Sequence, residues 1–404
     1  MKVHRIINRR AFAASAIGAV CAVALTACGG GSGSSDMAAQ LTSQPSQEFA
    51  DTALVSNKVG VVATTTTIDS NLQNPWGVAV GPGLPFWIAD EHSNVATLYT
   101  GEGVVETDTI TGSNSLGIAI PANSVGQPAS PTGQVYNSDG GFLIATSNGM
   151  QSAQFIYDGV GGTIAAWAPS SGATAVTAYD DSIANGANHA AYKGLAIGSV
   201  AGATFLYATD LRNSKVDVFA TDFSKPTAMQ GKFIDPTLPA GFAPFGIAAV
   251  AGQLYVTYAM QNAALVGETL GAGLGYVDVF DMSGNFVTRF ASQGTLNAPW
   301  GIAVAPSGFG SIAGNVLIGN FGDGTINIFT PSGSVGTFVS QLMVSNGGTL
   351  SIPGLWALVF GNGDPDKPLT TLFYTAGFTD QTDGVFGSIG VAATSAPVTM
   401  RPWE

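Results

Sequence analysis

Short apolar runs recur along the chain at intervals of 52 to 61 residues, and each run opens on the same motif. In this motif an aromatic or polar residue precedes Gly or Ala, and apolar residues follow. The six instances occupy 76–80, 132–135, 193–197, 245–248, 300–304 and 356–359. Self-similarity at such a period is typical of radial or stacked repeat folds. The pattern therefore predicts six structural units.

Each unit contains two further runs that are rich in β-branched and aromatic residues, as strands are. The second runs lie at 86–89, 142–145, 205–208, 254–257, 316–319 and 372–375. The third runs lie at 95–99, 163–167, 216–219, 277–280, 326–329 and 385–389. Several third runs alternate with period two, which predicts one packed and one solvent-exposed face. Irregular segments between the units, such as 104–107, are predicted to supply fourth strands.

Six units of four antiparallel strands predict an all-β, six-bladed β-propeller, because radial closure leaves few exposed sheet edges. The last unit ends near Ile389 without an evident outer strand, whereas the Val-rich segment 54–63 precedes the first unit. We predict that this segment closes the ring by pairing into the sixth blade; the alternative is a loose surface strand. The 54 Gly residues and the 10% of charged residues suit a turn-rich fold without long helices.

The N-terminal segment differs from the repeats and resembles a bacterial lipoprotein signal peptide. It has a basic start, an Ala-rich apolar run at 11–24 and the sequence Leu25-Thr26-Ala27-Cys28. We predict a signal peptide at 1–27, lipidation of Cys28, a Gly/Ser/Gln-rich tether at 28–50, the propeller at 51–396 and a tail at 397–404. Residues 8–12 also resemble the core of a twin-arginine signal, so the export route stays open. The apolar run is too short for a membrane-spanning helix of about 20 residues.

Charge and cysteine content narrow the range of partners. The chain has 13 basic and 26 acidic residues, and the predicted signal peptide carries four of the basic ones, which leaves 9 − 26 = −17. Nucleic acid is therefore not expected as a partner, because phosphate binding needs clustered Lys and Arg. Acidity keeps an exported domain soluble, and a calcium-rich environment or a cationic partner would also suit it. With Cys21 removed, Cys28 would be the one remaining cysteine, which excludes a disulfide.

Propeller topology predicts where ligand-binding residues gather, because the loops into the innermost strands and after the second strands open on one face. The residues that enter the inner strands are Trp76, Thr132, Lys193, Phe245, Trp300 and Trp356. The ends of the second strands add Asp90, His92, Asp210, Arg212, Asn320 and Asp323. The alternatives are structural: the aromatic residues would wedge between blades, Asp90 and Asp210 would cap turns, and Lys193, the one cation in the ring, would pair with an acid.

The sequence contains no recognisable catalytic set, and we predict no cofactor. His92 and His189 are the histidines left after signal removal, which excludes a His-rich metal site. The turns at 319–324 and 361–366 contain oxygen ligands of the kind that calcium uses, although neither has EF-hand spacing. As turns they need no metal. The apolar segments 146–162 and 258–275 are predicted to be long loops that cover a pocket or dock a partner.

The repeat pattern resembles the NHL-type repeat of six-bladed propellers. More closely, residues 54–390 resemble an uncharacterised family of exported bacterial propeller proteins. The segments that carry this resemblance are 74–77, 191–196, 238–245, 296–301, 319–324 and 354–358. Some members carry a C-terminal sorting tail of the PEP-CTERM kind, which residues 396–404 do not resemble, so anchoring is expected from the N-terminus. The resemblance implies a fold and export, and it brings no established activity.

Two classes of function follow from these observations. The first is a non-catalytic, monomeric propeller that binds an envelope protein, peptide or glycan at its channel face and contacts the membrane through its lipid anchor alone. Because Gly29 follows Cys28, the outer membrane is the favoured location. The alternative is a hydrolase or lyase that resembles the propeller lactonases and streptogramin lyases and uses a divalent ion. Several carboxylate or Asn side chains meeting on the axis would favour the enzyme, whereas the predicted ring is aromatic, Thr and Lys.

Overall fold

The predicted apolar runs form short strands in the computed structural model, which describes residues 47–392 except 64, 66, 107–116 and 346. In chain order the strands are β1 (Phe49–Ser56), β2 (Thr67–Ile68), β3 (Pro75–Val80), β4 (Phe86–Asp90), β5 (Val95–Tyr99), β6 (Ile118–Ala119), β7 (Pro131–Tyr136), β8 (Leu143–Thr146), β9 (Gly149–Ser152), β10 (Phe155–Gly159), β11 (Thr163–Trp167), β12 (Val176–Asp180), β13 (Tyr192–Val200), β14 (Ala203–Asp210), β15 (Lys215–Phe219), β16 (Phe242–Val250), β17 (Gln253–Gln261), β18 (Glu268–Thr269), β19 (Gly275–Asp281), β20 (Phe286–Ser292), β21 (Pro299–Val304), β22 (Val316–Asn320), β23 (Ile326–Ser332), β24 (Val335–Gln341), β25 (Leu355–Phe360), β26 (Leu372–Ala376) and β27 (Val385–Val391). The helices are single turns, α1 (Ser182–Asn185) and α2 (Phe378–Gln381), with 3-10 turns at Pro169–Ser171, Gly186–Asn188, Thr227–Met229 and Gly310–Ile312.

These strands build six blade sheets and one separate hairpin, β8-β9, which confirms the six-bladed propeller. The blades are, in order, β3-β4-β5-β6, β7-β10-β11-β12, β13-β14-β15, β16-β17-β19-β20, β21-β22-β23-β24 and β25-β26-β27-β1. Each blade is an antiparallel meander, and five of them have four strands in this order. The innermost strands β3, β7, β13, β16, β21 and β25 contact one another in sequence, and β25 contacts β3. The ring is therefore closed.

The N-terminal strand closes the ring, as the sequence predicted. Strand β1 pairs with β27 antiparallel, from Phe49 opposite Val391 to Ser56 opposite Val385. It begins at Phe49, five residues before the predicted segment and two before the predicted start of the propeller, and it ends at Ser56 rather than residue 63. The short β2 adds to its other edge in parallel. Phe49 and Val55 are fully buried, so the closure has an apolar core as well as a ladder of hydrogen bonds.

The prediction for the second strand of blade 2 is wrong. Residues 142–145 were assigned to it, whereas the strand beside β7 is β10, Phe155–Gly159. The segment 142–145 instead lies at the start of a separate hairpin of β8 and β9. A second strand packs between two blades and is buried throughout, as β10 is. Leu143 is 48% exposed, which suits a hairpin with one wet face. The predicted loop 146–162 therefore contains two strands.

Other outer segments also differ from the prediction. The fourth strand of blade 1 is β6, whereas within 104–106 only Val105 forms a single bridge, to Tyr99. Blade 3 has three strands in the part of the chain that the structure describes. The predicted loop 258–275 starts inside β17 and contains β18, which pairs back onto β17. Edge segments carry less buried surface than inner strands, so their sequence pattern is weaker.

The polar residues of the third strands are buried rather than exposed, which corrects the prediction of a wet face. Asp217, Asp278 and Asn327 are each at most 1% exposed. Asp217 accepts hydrogen bonds from the Tyr192 hydroxyl and the Lys215 ammonium, both at 2.9 Å or less. Asp278 is bound by Arg289. These partners offset the cost of burying the two carboxylates, since a buried charge without a partner would destabilise the fold.

The glycine of the repeat motif has a steric cause. Each inner strand has a register shift at this point, as a β-bulge does. A Cβ at Gly77 would lie 2.5 Å from the carbonyl oxygen of Thr132 in the next blade, and one at Gly301 would lie 2.5 Å from that of Trp356. Gly246 faces the carbonyl oxygen of Trp300 in the same way. The motif therefore marks where neighbouring inner strands touch.

We expect Gly246→Ala to lower the free energy of unfolding by about 1–3 kcal/mol, the usual cost of forcing atoms into a packed core. The matched control is Gly390→Ala in β27, where an added Cβ meets no atom within 4 Å. Denaturant unfolding of both variants measures the difference. Equal stabilities would show that the bulge glycine is not required by packing.

We expect removal of β1 to destabilise the propeller. A chain that begins at residue 58 lacks the buried Phe49 and Val55 and leaves β27 as an open edge, so it should lose roughly 3–5 kcal/mol relative to a chain from residue 47. Thermal melts with light scattering compare the two chains. A synthetic peptide of residues 47–57 should raise the midpoint of the shorter chain. Identical melts would contradict closure by β1.

Candidate functional site

Four of the six residues predicted to ring the channel mouth, all of them aromatic, meet on the propeller axis. Trp76 of blade 1 stacks on Trp356 of blade 6, with ring centroids 3.4 Å apart. Its ring edge also contacts Phe245 of the opposite blade 4, at 6.2 Å, and Trp300 of blade 5, at 6.0 Å. Side chains from opposite blades can touch in this way only if they fill the channel. These aromatic residues, together with Phe321, are called the aromatic cluster below.

The aromatic cluster closes one end of the channel. Phe321 stacks on the free face of Trp356 at 4.0 Å, and the Trp356 indole N–H donates to Asn74 at 3.1 Å. Trp76, Phe245 and Trp356 are at most 2% exposed, while Trp300 is half-buried. The aromatic residues thus contact each other across the axis rather than wedging between blades. All six inner strands line a cavity of about 490 Å³, and Trp300 of the cluster forms part of its wall.

Thr132, the ring residue of blade 2, is buried and hydrogen-bonds to an acid, Asp158, that the sequence analysis missed. Its hydroxyl hydrogen-bonds Asp158 Oδ1 at 2.9 Å and the Tyr192 carbonyl oxygen at 3.0 Å. Asp158 also accepts from the Gly133 N–H at 2.6 Å, and its Oδ2 has no partner. Burial raises the pKa of Asp158 to about 7, although these hydrogen bonds and the charge of Lys193 oppose the rise. Asp158 is the penultimate residue of β10, and it was missed because the sequence analysis placed this strand in a loop.

Lys193, the ring residue of blade 3, is 5% exposed and lies over the Trp76 ring, with Nζ 4.9 Å from the ring centroid. Burial lowers the pKa of the Lys193 ammonium, and the negative charges of Glu268 and Glu91 oppose that shift. No carboxylate among the described residues lies within 4.0 Å of Nζ. The expected ion pair is therefore replaced by the face of an indole ring, which attracts a cation.

Three of the predicted second-strand residues serve the backbone. Asp210 accepts from the Ala191 N–H at 3.0 Å and the Asn213 N–H at 3.2 Å, so it caps its turn as the alternative proposed. Asp90 instead accepts from the Thr97 N–H of the next strand at 3.1 Å, and burial raises the pKa of Asp90 well above its usual value. The Arg212 guanidinium donates to the carbonyl oxygen of His189.

The other three lie at the surface of the same face or just beneath it. His92 contacts Glu91, with Nε2 to Oε2 at 3.0 Å. Asn320 is buried and accepts from the Asn297 N–H at 3.1 Å. Asp323 is exposed and borders the cleft described next. The predicted second-strand residues are thus distributed over several turns, whereas the four aromatic ring residues and Lys193 lie together.

A cleft of about 450 Å³ opens beside the aromatic cluster, with Phe321 in its wall. Three carboxylates line it, Glu268 of β18, Asp323 and Asp380. Burial raises the pKa of Glu268, and the charge of Lys193 opposes this. Glu268 and Asp380 were not predicted, because they lie in loops whose sequences carry no periodic signal. The cleft brings together loops of blades 4, 5 and 6.

The loop that carries Asp380 has an unusual backbone. Thr379, Asp380 and Gln381 have consecutive φ values of 53°, 51° and 67°, in the left-handed region that side chains disfavour. The Gln381 side-chain oxygen accepts from the Asn74 amide at 3.2 Å, and the Asp383 N–H donates to the Phe378 carbonyl oxygen at 3.0 Å. Such strain persists where surrounding contacts fix it, and it often marks a functional loop.

The calcium-like turns use their oxygen atoms for other contacts. In the first turn, Asp323 Oδ1 accepts from the Thr325 N–H and hydroxyl, at 3.1 and 2.7 Å. In the second, the Lys367 ammonium lies 2.7 Å from Asp366 and 3.6 Å from Asp364. Across the described ranges, no three His, Cys, Asp or Glu side chains are grouped so as to hold a metal ion.

None of the helices in the described ranges is long and apolar enough to cross a membrane.

We expect Asp158 to make stability depend on pH. Its pKa in the folded protein, about 7, exceeds the unfolded value of 3.8, so the folded state holds the extra proton between these values and stability falls as pH rises through that window. Asp158→Asn keeps an acceptor for Thr132 and Gly133 without the charge. The variant should gain about 2 kcal/mol relative to the natural protein between pH 5 and 7.

Denaturant unfolding at several pH values measures this gain. Asp222→Asn is the control, because Asp222 is exposed and its pKa is lowered. Any effect of this substitution on the pH dependence of stability should therefore appear only below about pH 4. Parallel stability curves for Asp158→Asn and the natural protein would contradict a protonated Asp158.

Comparison with solved structures finds propellers at low identity. The chain is 14% identical to a streptogramin B lyase, with a TM-score of 0.47 over 85% of this chain and 98% of that one. It is 12% identical to an aldose sugar dehydrogenase from Escherichia coli, with a TM-score of 0.49 over 85% and 100%. The propeller assignment follows from the sheet topology and not from these similarities.

No protein-family model matches the chain. Two relatives from Acanthamoeba polyphaga mimivirus match most of it. The uncharacterized protein R648 is 32% identical over 342 residues, which cover 83% of this chain and 78% of R648. The uncharacterized protein L690 is 28% identical over 342 residues, which cover 83% and 84%. These relatives are viral, whereas the resemblance noted above is to exported bacterial proteins. By its similarity to the first relative, the chain belongs to the family of the mimivirus protein R648.

Proposed function

We propose that this protein is a non-catalytic binding propeller that holds a cationic segment of a partner protein or peptide in the cleft beside the aromatic cluster. The observation that carries this proposal is the set of three cleft carboxylates, Glu268, Asp323 and Asp380. None of them has a basic side chain within 4.0 Å among the described residues. A Lys or Arg side chain from a partner would supply the missing charge.

The ion pairs between lysines and carboxylates lie outside the cleft, which supports this proposal. Asp217 and Asp366 each have a Lys ammonium at 2.7 Å, and Asp383 has that of Lys58 at the same distance. These lysines therefore pair with carboxylates outside the cleft. With a formal net charge of −13, the protein also attracts cationic partners over longer distances.

The rigidity of the cleft supports binding as well. The strained turn at 379–381 is held by Asn74, which in turn is bound by Trp356 of the aromatic cluster. A carboxylate on such a turn is already positioned before the ligand arrives. Preorganised groups lose less conformational freedom on binding, which increases affinity.

The alternative, a metal-dependent hydrolase or lyase, requires several oxygen ligands that meet on the axis. At the Trp-bearing end the axis is occupied by the aromatic cluster, and the cleft carboxylates are arranged around a side opening. The geometry therefore favours the binding role. A glycan would also find acceptors in the cleft, but it would leave the three charges without a counter-charge.

Export and membrane anchoring through Cys28 are part of the proposal. The signal peptide, the lipidated Cys28 and most of the tether lie outside the described residues, as does the tail at 397–404. An outer-membrane or cell-surface location would place the acidic face where partners of the envelope can reach it.

We expect the protein to bind a fluorescent hexalysine peptide and to ignore maltohexaose and hexaglutamate. Glu268→Gln and Asp380→Asn should each weaken the binding about three- to tenfold, because each removes one favourable charge pair. Fluorescence anisotropy at two salt concentrations measures the affinity, which should fall at the higher salt.

The matched control is Glu102→Gln, which removes an exposed carboxylate outside the cleft and should leave the affinity nearly unchanged. Equal weakening by all three variants would mean that the overall charge, and not the cleft, attracts the peptide. Binding of maltohexaose that Glu268→Gln abolishes would overturn the cationic partner in favour of a glycan.

A further inference from the structure

One position of the repeat motif lines the central channel in every blade. It is the residue after the glycine or alanine of the motif, and it borders the cavity of about 490 Å³ at Val78, Gln134, Leu195, Ile247, Ile302 and Leu358. Five of these six side chains are aliphatic, whereas blade 2 has a carboxamide. Gln134 therefore interrupts an otherwise apolar layer of the channel wall.

The Gln134 carboxamide has no hydrogen-bond partner among the residues that the structure describes. Gln134 is 6% exposed, and neither its Nε2 nor its Oε1 atom forms a hydrogen bond. Buried polar groups nearly always have a partner, because an unpaired group loses its hydration without compensation. An aliphatic side chain would avoid this cost, as it does in the other five blades. A molecule bound in the channel would supply the missing partners.

The cavity is open to solvent at the end of the channel away from the aromatic cluster. Its wall includes Ala249, which is exposed and lies four residues beyond Phe245 on β16, while Trp300 forms part of the wall at the other end. A volume of about 490 Å³ lies within the usual range for small-molecule sites, roughly 300–1,000 Å³. None of the described residues that line the cavity is charged. A charged ligand would therefore lose its hydration without gaining an ion pair.

We propose that the channel binds a small neutral molecule with an apolar body and a primary or cyclic amide group, which pairs with Gln134. The Gln134 side chain presents a carbonyl acceptor beside N–H donors. The matching ligand group has an N–H donor beside a carbonyl acceptor, so the two amides form two hydrogen bonds in one plane. The apolar body of the ligand contacts the five aliphatic side chains and the Trp300 ring. This inference is independent of the cationic partner, because the cleft opens beside the aromatic cluster and the cavity opens at the other end of the channel.

The experiment compares the binding of 4-butylbenzamide and 4-butylacetophenone to the purified protein by saturation-transfer NMR titrations. The two probes have nearly the same size and shape, but the ketone has a methyl group where the amide has its N–H donors. The protein should bind the amide about tenfold more tightly, because the ketone leaves the Gln134 carbonyl oxygen unpaired in a buried site. Equal affinities for the two probes would overturn the proposal, as would the absence of saturable binding of the amide.

Two variants locate the binding. Gln134→Leu makes the layer uniformly aliphatic, so it should abolish the preference for the amide and leave the affinity for the ketone within about twofold. It should also raise the melting temperature of the ligand-free protein by about 1–3 °C, because no unpaired amide is then buried. Gln151→Leu, in the exposed strand β9, is the matched control and should change neither affinity. A preference for the amide that survives in Gln134→Leu would overturn the proposal, as would a lower melting temperature of this variant.

Discussion

The close approach of the six inner strands is the constraint on which the rest of the structure depends. At Gly77, Gly133, Gly246 and Gly301 an added Cβ would collide with backbone atoms of the next blade. Each inner strand also bulges beside this position. Five blades have glycine at this position and blade 6 has Ala357, so the blades close around the axis where the side chain is absent or a single methyl group. The residue before this position is turned towards the axis as a result, and this is why four large aromatic rings meet there.

Hydroxyl groups of the second strands secure this arrangement between blades. The Thr209 hydroxyl donates to the Phe245 carbonyl oxygen of the next blade at 2.6 Å, and Thr375 donates to that of Trp76 at 2.5 Å. In blade 4, Thr257 accepts from the Gly246 N–H at 2.7 Å. The bulged backbone groups lack partners in their own ladder, so a short hydroxyl side chain satisfies them without charge.

The repeat made the inner strands and the closure predictable, because buried strands leave a strong apolar pattern and tolerate few substitutions. The assignment failed at 142–145, where a one-sided hairpin has the composition of a second strand, and Asp158 was missed with it. The prediction of a solvent-exposed face on the third strands failed because Asp217 and Asp278 are buried with partners on other strands, Tyr192 for Asp217 and Arg289 for Asp278. The cleft was also not predictable, since Glu268 and Asp380 meet only through the packing of three loops.

The candidate chemistry lies where the repeat is broken. Blades 2 and 3 place Thr132 and Lys193 at positions that hold aromatic residues in the other blades. At the position where Thr209, Thr257 and Thr375 make neutral hydrogen bonds, blade 2 has Asp158, whose charge acts on Lys193. A neutral Thr would satisfy the Gly133 N–H as well, so the bulge does not explain the acid. Asp158 of blade 2 and Lys193 of blade 3 are thus buried titratable groups at positions that are neutral or apolar in other blades. Buried charges destabilise the fold unless they are paired or lose their charge. Their cost is a physical reason to seek a role for this pair of blades in addition to that of the cleft, which loops of blades 4, 5 and 6 form.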